Sequence, residues 1–209
     1  PIAPADLVSP VDGAVSQFGH FSGDRLIQAK GHHYTTRALV GGDEQMASLF
    51  DHGSFATLYL SPRDYHRIHM PCDGRLRRMV YVPGELFSVN AVTARGVPGL
   101  FARNERVVCL FDSERGPFVL TLVGATIVGS MATVWHGVVN PPRSKTVREW
   151  RYDDQDIRLK QGQEMGRFLL GSTVVLLWPR GTLRFNPVWA PAGPVRMGQP
   201  MANRAGAGA

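Results

Sequence analysis

Hydrophobic positions in this chain come in short runs bounded by glycine or proline, and few of them recur at helical spacing. Residues 14–18, 55–60, 76–82, 106–111, 118–123 and 173–178 each gather β-branched, leucine or aromatic side chains between such boundaries. That is the pattern of strands. Helical signals are fewer. Residues 43–50 form one candidate, and Ser61-Pro62-Arg63-Asp64 another, with serine at the N-cap, proline in the first turn and an acid three residues on. No internal repeat is present. These elements predict an α+β, mostly β fold: short glycine-punctuated antiparallel strands, barrel-sandwich-like, with few short helices, in one domain spanning 1–209. The end of the chain is rich in Pro, Gly and Ala, and residues 202–209 are expected to form a disordered tail.

Residues 118–135 carry no charged side chain, close to the length of a membrane-spanning helix. Glycine, serine and threonine interrupt the run, so it reads as buried strands. Composition adds to this picture. With 44% hydrophobic and 19% charged residues among 209, the chain can bury a core. A net charge of +6 favours an anionic partner, nucleic acid or an acidic membrane face. Cys72 and Cys109 have neither metal-ligand nor disulfide-framework spacing, and two free thiols in an intracellular protein are expected. Residue 1 is proline rather than methionine, as in a trimmed chain or a piece of a longer one.

Three groups of residues could carry chemistry. Gly171-Ser172-Thr173 suits a turn before a strand. A glycine before a serine also leaves its carbonyl open to attack by the hydroxyl. In Tyr65-His66-Arg67-Ile68-His69-Met70-Pro71, an extended chain would turn Ile68 and Met70 to the core and Arg67 and His69 to the other face. Pro71 opposes a helical His-His metal pair, no third ligand stands at suitable spacing, and no metal is expected. Ser9-Pro10-Val11-Asp12-Gly13 is a turn signature whose aspartate could orient a histidine.

Taken in order, these segments resemble the phosphatidylserine decarboxylases, pyruvoyl-dependent enzymes of bacterial type. Ser-Pro-Val-Asp-Gly at 9–13, Tyr-His-Arg-Ile-His-Met-Pro at 65–71, Phe-Ser-Val-Asn at 87–90 and Asn-Glu-Arg at 104–106 carry the likeness. So do Val-Gly-Ala-Thr-Ile-Val-Gly-Ser at 123–130 and Lys-Gln-Gly-Gln-Glu-Met-Gly-Arg-Phe-Leu-Leu-Gly-Ser-Thr at 160–173. Several spaced motifs in one order are far more specific than any single one. Two departures accompany the match. The family's hydrophobic N-terminal segment does not occur in residues 1–209, and an Ala/Gly-rich end extends past Met197-Gly198-Gln199-Pro200.

The resemblance implies a self-processing triad of Asp12, His69 and Ser172. His69 would take the Ser172 proton, Asp12 would hold the imidazole, and the hydroxyl would attack the Gly171 carbonyl. Cleavage between Gly171 and Ser172 would give a β chain, 1–171, and an α chain, 172–209, with a pyruvoyl group made from Ser172 as covalent cofactor. That group would form a Schiff base with phosphatidylserine and release carbon dioxide, giving phosphatidylethanolamine. His66 would return the proton to carbon. The partners implied are phosphatidylserine in an anionic membrane surface and the two cleaved chains, with a homodimer allowed for and no nucleic acid. The expected location is peripheral, on the cytoplasmic face of the cell membrane. Arg75, Arg77 and Arg78 are the densest basic cluster, suited to a membrane contact or to a solvated edge strand. Three other functions stay open at this point. They are a pyruvoyl decarboxylase of a soluble amino acid, a barrel-sandwich carrier or binding module, for which neither Lys145 nor Lys160 has a convincing setting, and a nucleic-acid-binding β-domain. The last lacks an aromatic ladder among basic residues.

Overall fold

The computed structural model describes residues 1–29, 31–126, 130–140, 142–168, 172–181 and 183–204. Its centre is a long antiparallel sheet whose strands run, in spatial order, Arg148–Arg151, Gly74–Val82, Arg106–Ser113, Gly116–Val123, Ser172–Trp178, Ser54–Leu60, Gly13–His20 and Pro194–Val195. The six strands expected from the sequence all lie in it. Ser172–Trp178 is buried at every position and Ser54–Leu60 at all but one. Strands covered on both faces lose the in-and-out alternation of half-exposed ones, which is why these two read as solid apolar runs.

One cover is a smaller antiparallel sheet of Gly137–Asn140, Met131–Thr133, Glu164–Phe168 and Arg67–His69. Gly166 in this sheet packs toward Leu122, where a β-carbon would sit 3.6 Å from the leucine side chain. The opposite face is covered by the hairpin Arg25–Ala29 and His32–Thr35 with the short helices Thr36–Leu39 and Leu100–Arg103. Arg106 reaches into this layer and donates to the carbonyls of Ala38, Leu39 and Asn104. Burial pushes its guanidinium pKa down to about 10. Neither sheet closes on itself, so the barrel-like expectation gives way to two open layers.

Local signals were followed with two exceptions. Asp43 caps the helix Glu44–Ser48 by accepting the Met46 N–H at 2.8 Å. Ser61-Pro62-Arg63-Asp64 makes a single turn instead of a helix. Asp64 N–H donates to the Ser61 carbonyl and Asp64 Oδ2 accepts the Ser61 N–H. The chain leaves this turn because the His66 carbonyl is claimed by the Phe168 N–H across the small sheet. The other exception is the start of the expected tail. Residues 202–204 belong to the strand Pro200–Arg204, paired with Leu7–Val8 and Leu183–Phe185, and 205–209 lie outside the described residues. Among the described residues no helix is long and apolar enough to cross a membrane.

Candidate active site

His69 is held by a turn from a distant part of the chain. Lys160 to Gln163 closes a tight turn with Gln163 N–H on the Lys160 carbonyl, and Gly162 takes the left-handed φ of +79° that its third position requires. A β-carbon there would collide with Ile2. The turn is stitched to the histidine strand: Gly162 N–H donates to the Met70 carbonyl, and Met70 N–H donates to the Gln163 carbonyl. This places the Gly162 carbonyl 2.8 Å from His69 Nδ1. At the other edge of the ring, His69 Nε2 lies 3.1 Å from the Tyr65 hydroxyl, with the two rings stacked at 5.7 Å. Asp73 fixes the turn from outside, accepting Lys160 Nζ and the Gln161 N–H. These two contacts, the lysine first, hold its carboxyl below the ordinary value.

Ser172 opens the central strand opposite Leu60. By alternation its side chain shares a face with Val174 and Leu176, the face that carries the small sheet. The residue is 0% exposed and its hydroxyl has no hydrogen-bond partner among the described residues. His66 Nε2 is likewise buried and unpartnered. Leu60 pairs with Ser172, and the His66 carbonyl, six residues later, receives the N–H of Phe168, four residues before Ser172, so the two residues belong to neighbouring paired stretches of chain. Gly171, the other half of the expected scissile bond, lies outside the described residues, as do 127–129 of the glycine-rich run.

Asp12 approaches His69 through the backbone. Pro10, two residues earlier, accepts the His69 N–H at 2.9 Å. Gly13 can only be glycine, since a β-carbon would stand 2.2 Å from the Tyr59 carbonyl oxygen. The Asp12 carboxylate accepts the Met197 N–H at 2.8 Å and has the Arg196 guanidinium 3.9 Å away. Its hydrogen bonds therefore tie residues 196–197 to the Ser9–Gly13 segment, and the His69 ring receives its contacts from Gly162 and Tyr65 instead.

Several residues at this end of the sheet carried no role in the sequence. Glu105 is 2% exposed. It sits one strand beyond Gly124, whose N–H donates to the Glu105 carbonyl, on the rung next to Thr173 and Val123. Its carboxylate accepts the Tyr81 hydroxyl, the Asn140 amide and the Arg143 guanidinium. Burial and this carboxylate push the Tyr81 phenol up to about 12. Asn104 joins two of the sequence motifs, since its amide bonds the Phe87 N–H, the Phe87 carbonyl and the Gly124 carbonyl. A charged pair opening an apolar strand looks like a solvated strand end, so only the position of Glu105 in the sequence hinted at it. The basic cluster behaves oppositely. Arg75 pairs with Asp156, Arg77 with Asp112 and Asp153, and Arg78 with Asp43 and Glu149. It is neutralised by acids of neighbouring strands and loops and is not a free cationic face.

A sequence model described as phosphatidylserine decarboxylase matches residues 1–203. The chain belongs to the phosphatidylserine decarboxylase family. It is similar to the phosphatidylserine decarboxylase proenzyme of Albidiferax ferrireducens, 74% identical over 98% of this chain and 72% of the relative. The proenzyme of Variovorax paradoxus is 75% identical over 98% and 72%, and that of a Polaromonas strain 73% identical over 98% and 73%. The chain is a carboxy-lyase of this family, which sets aside a carrier role. Lys160, one of the two lysines such a carrier would use, is paired to Asp73.

Proposed function

We propose that the chain cleaves itself between Gly171 and Ser172 and then decarboxylates phosphatidylserine to phosphatidylethanolamine. The observation that carries this reading is the Ser172 hydroxyl at the head of a strand, fully buried and without a partner among the described residues. A buried hydroxyl left unpaired costs about 1–3 kcal/mol, and a serine serving only as a turn residue would sit in water or bond its own backbone. An unpaired hydroxyl is instead free to act as a nucleophile.

His69 would take the hydroxyl proton as the oxygen attacks the Gly171 carbonyl. The ester so formed loses the α-proton of residue 172, and the chain ending at Gly171 leaves as a carboxylate. Water then replaces the nitrogen of the remaining dehydroalanine, which departs as ammonia. The buried Ser172 hydroxyl and the buried His66 Nε2, both without a partner among the described residues, suit the pyruvoyl group that results. When present, that group supplies an electrophilic carbonyl that takes up the electrons left as carbon dioxide departs. His66, whose Nε2 is buried, would return a proton to carbon. Asp12 supports His69 from behind through the 9–13 segment. The substrate headgroup lies on an anionic bilayer, and peripheral attachment at its cytoplasmic face is part of the same proposal, supported by the net charge of +6.

Intact mass of the purified wild type beside Ser172→Ala tests the reading. Two fragments are expected for the first and one unbroken chain for the second. A wild type that stays whole yet releases carbon dioxide from phosphatidylserine overturns it.

A further inference from the structure

We propose that Tyr65 is a positioning residue for the histidine base, holding the His69 ring in place in the tautomer with its proton on Nδ1 and its lone pair on Nε2. The proposal rests on His69 being the base of self-cleavage. A carbonyl oxygen carries no proton, so the 2.8 Å contact from His69 Nδ1 to Gly162 requires the hydrogen on Nδ1. In the neutral ring Nε2 is then the acceptor, and the Tyr65 hydroxyl at 3.1 Å is the donor. The pair of contacts fixes both edges of the imidazole, while the Asp12 carboxylate accepts the Met197 N–H and supports His69 through the 9–13 segment.

One hydrogen bond alone would leave the ring free to turn about its bond to the β-carbon. The phenol removes that freedom twice, by hydrogen bonding to Nε2 and by stacking at an interplanar angle of 26°. Tyr65 is also 43% exposed, so its hydroxyl can give up the imidazole for water and release the Nε2 lone pair when the base is used. No bond is made or broken in this exchange. Tyr65 keeps the ring in place and Nε2 in its acceptor form until the base is used.

The test combines nitrogen NMR with cleavage kinetics. In full-length Ser172→Ala protein, His69 should show a protonated Nδ1 and an unprotonated Nε2. Adding Tyr65→Phe should leave Nδ1 protonated and move Nε2 toward the position of an unbonded ring nitrogen. With Ser172 intact, Tyr65→Phe should cleave itself about tenfold more slowly. Tyr65→Ala, which also loses the stack, should be slower still, about a hundredfold. The exposed position makes Phe a safe variant for folding, and its thermal midpoint should match the wild type. A protonated Nε2 in the parent overturns the proposal, and so does a Phe variant with unchanged nitrogen signals and unchanged cleavage. A wild type that never splits overturns the assignment of His69 as base. That failure is told apart by nitrogen resonances that still respond to removal of the phenol.

Discussion

Ser172 faces Leu60 on the last rung of the ladder between the strands Ser172–Trp178 and Ser54–Leu60. The same strand pairs along its other edge with Gly116–Val123, from Thr173 to Leu177. A break before Ser172 thus frees the end of a strand that is already hydrogen-bonded on both sides and buried along its length. The two fragments should remain one particle. Native mass spectrometry should give their summed mass and denaturing conditions two separate masses. Finding either fragment alone in native buffer would mean the strand is not held as described.

His66 and His69 should separate in function. His66→Ala is expected to split normally, because the groups on the His69 ring come from Gly162 and Tyr65. Turnover should fall about a hundredfold or more, the usual scale of a lost proton donor. The check is fragment formation by mass beside carbon dioxide release from vesicles. A variant that fails to split would give both histidines one role.

Asp73 links acid sensitivity to the site. Its carboxyl lies below the ordinary 3.8, first through Lys160 and then through the Gln161 N–H. A lowered folded value means the stabilisation is complete above 3.8 and is lost as pH falls through the folded pKa. The exposed pair contributes at most about 1 kcal/mol. Asp73→Asn should therefore melt slightly below the wild type at every pH above about 5, and the gap should close in stronger acid. Thermal scans across pH decide this, and a gap that widens in acid would contradict the placement of the lysine.

Glu105 should matter more to folding than any exposed acid. Glu105→Ala leaves the Tyr81 hydroxyl and the Asn140 amide without their acceptor inside the protein. The expected loss is about 3 kcal/mol, discounted because Arg143 is half-exposed. Urea unfolding in a Ser172→Ala background keeps the chain in one piece for the measurement. A loss below about 1 kcal/mol would place the carboxylate in water instead.

Much of this could be read from neighbouring residues. Alternation in Arg67-Ile68-His69-Met70 put Ile68 and Met70 in the core and the other two outward, and both apolar residues are 0% exposed. Short helices such as Ala91–Gly96 and Leu100–Arg103 escaped notice because four to six residues give too few turns for a period to show. The glycine of Lys160-Gln161-Gly162-Gln163 marked a turn, but nothing local said whose nitrogen its carbonyl would meet.

The sequence by itself determined the six main strands of the large sheet and the family, because each depends on side-chain order within a few residues. Tertiary structure alone decided which groups hold His69, that Arg75, Arg77 and Arg78 are neutralised, and that Glu105 is buried. Apart from the Tyr65–His69 pair, those contacts join residues tens of positions apart, 93 in the case of His69 and Gly162. Hydrogen bonds and ion pairs act over a few ångströms, so their partners exist only once the chain has closed on itself.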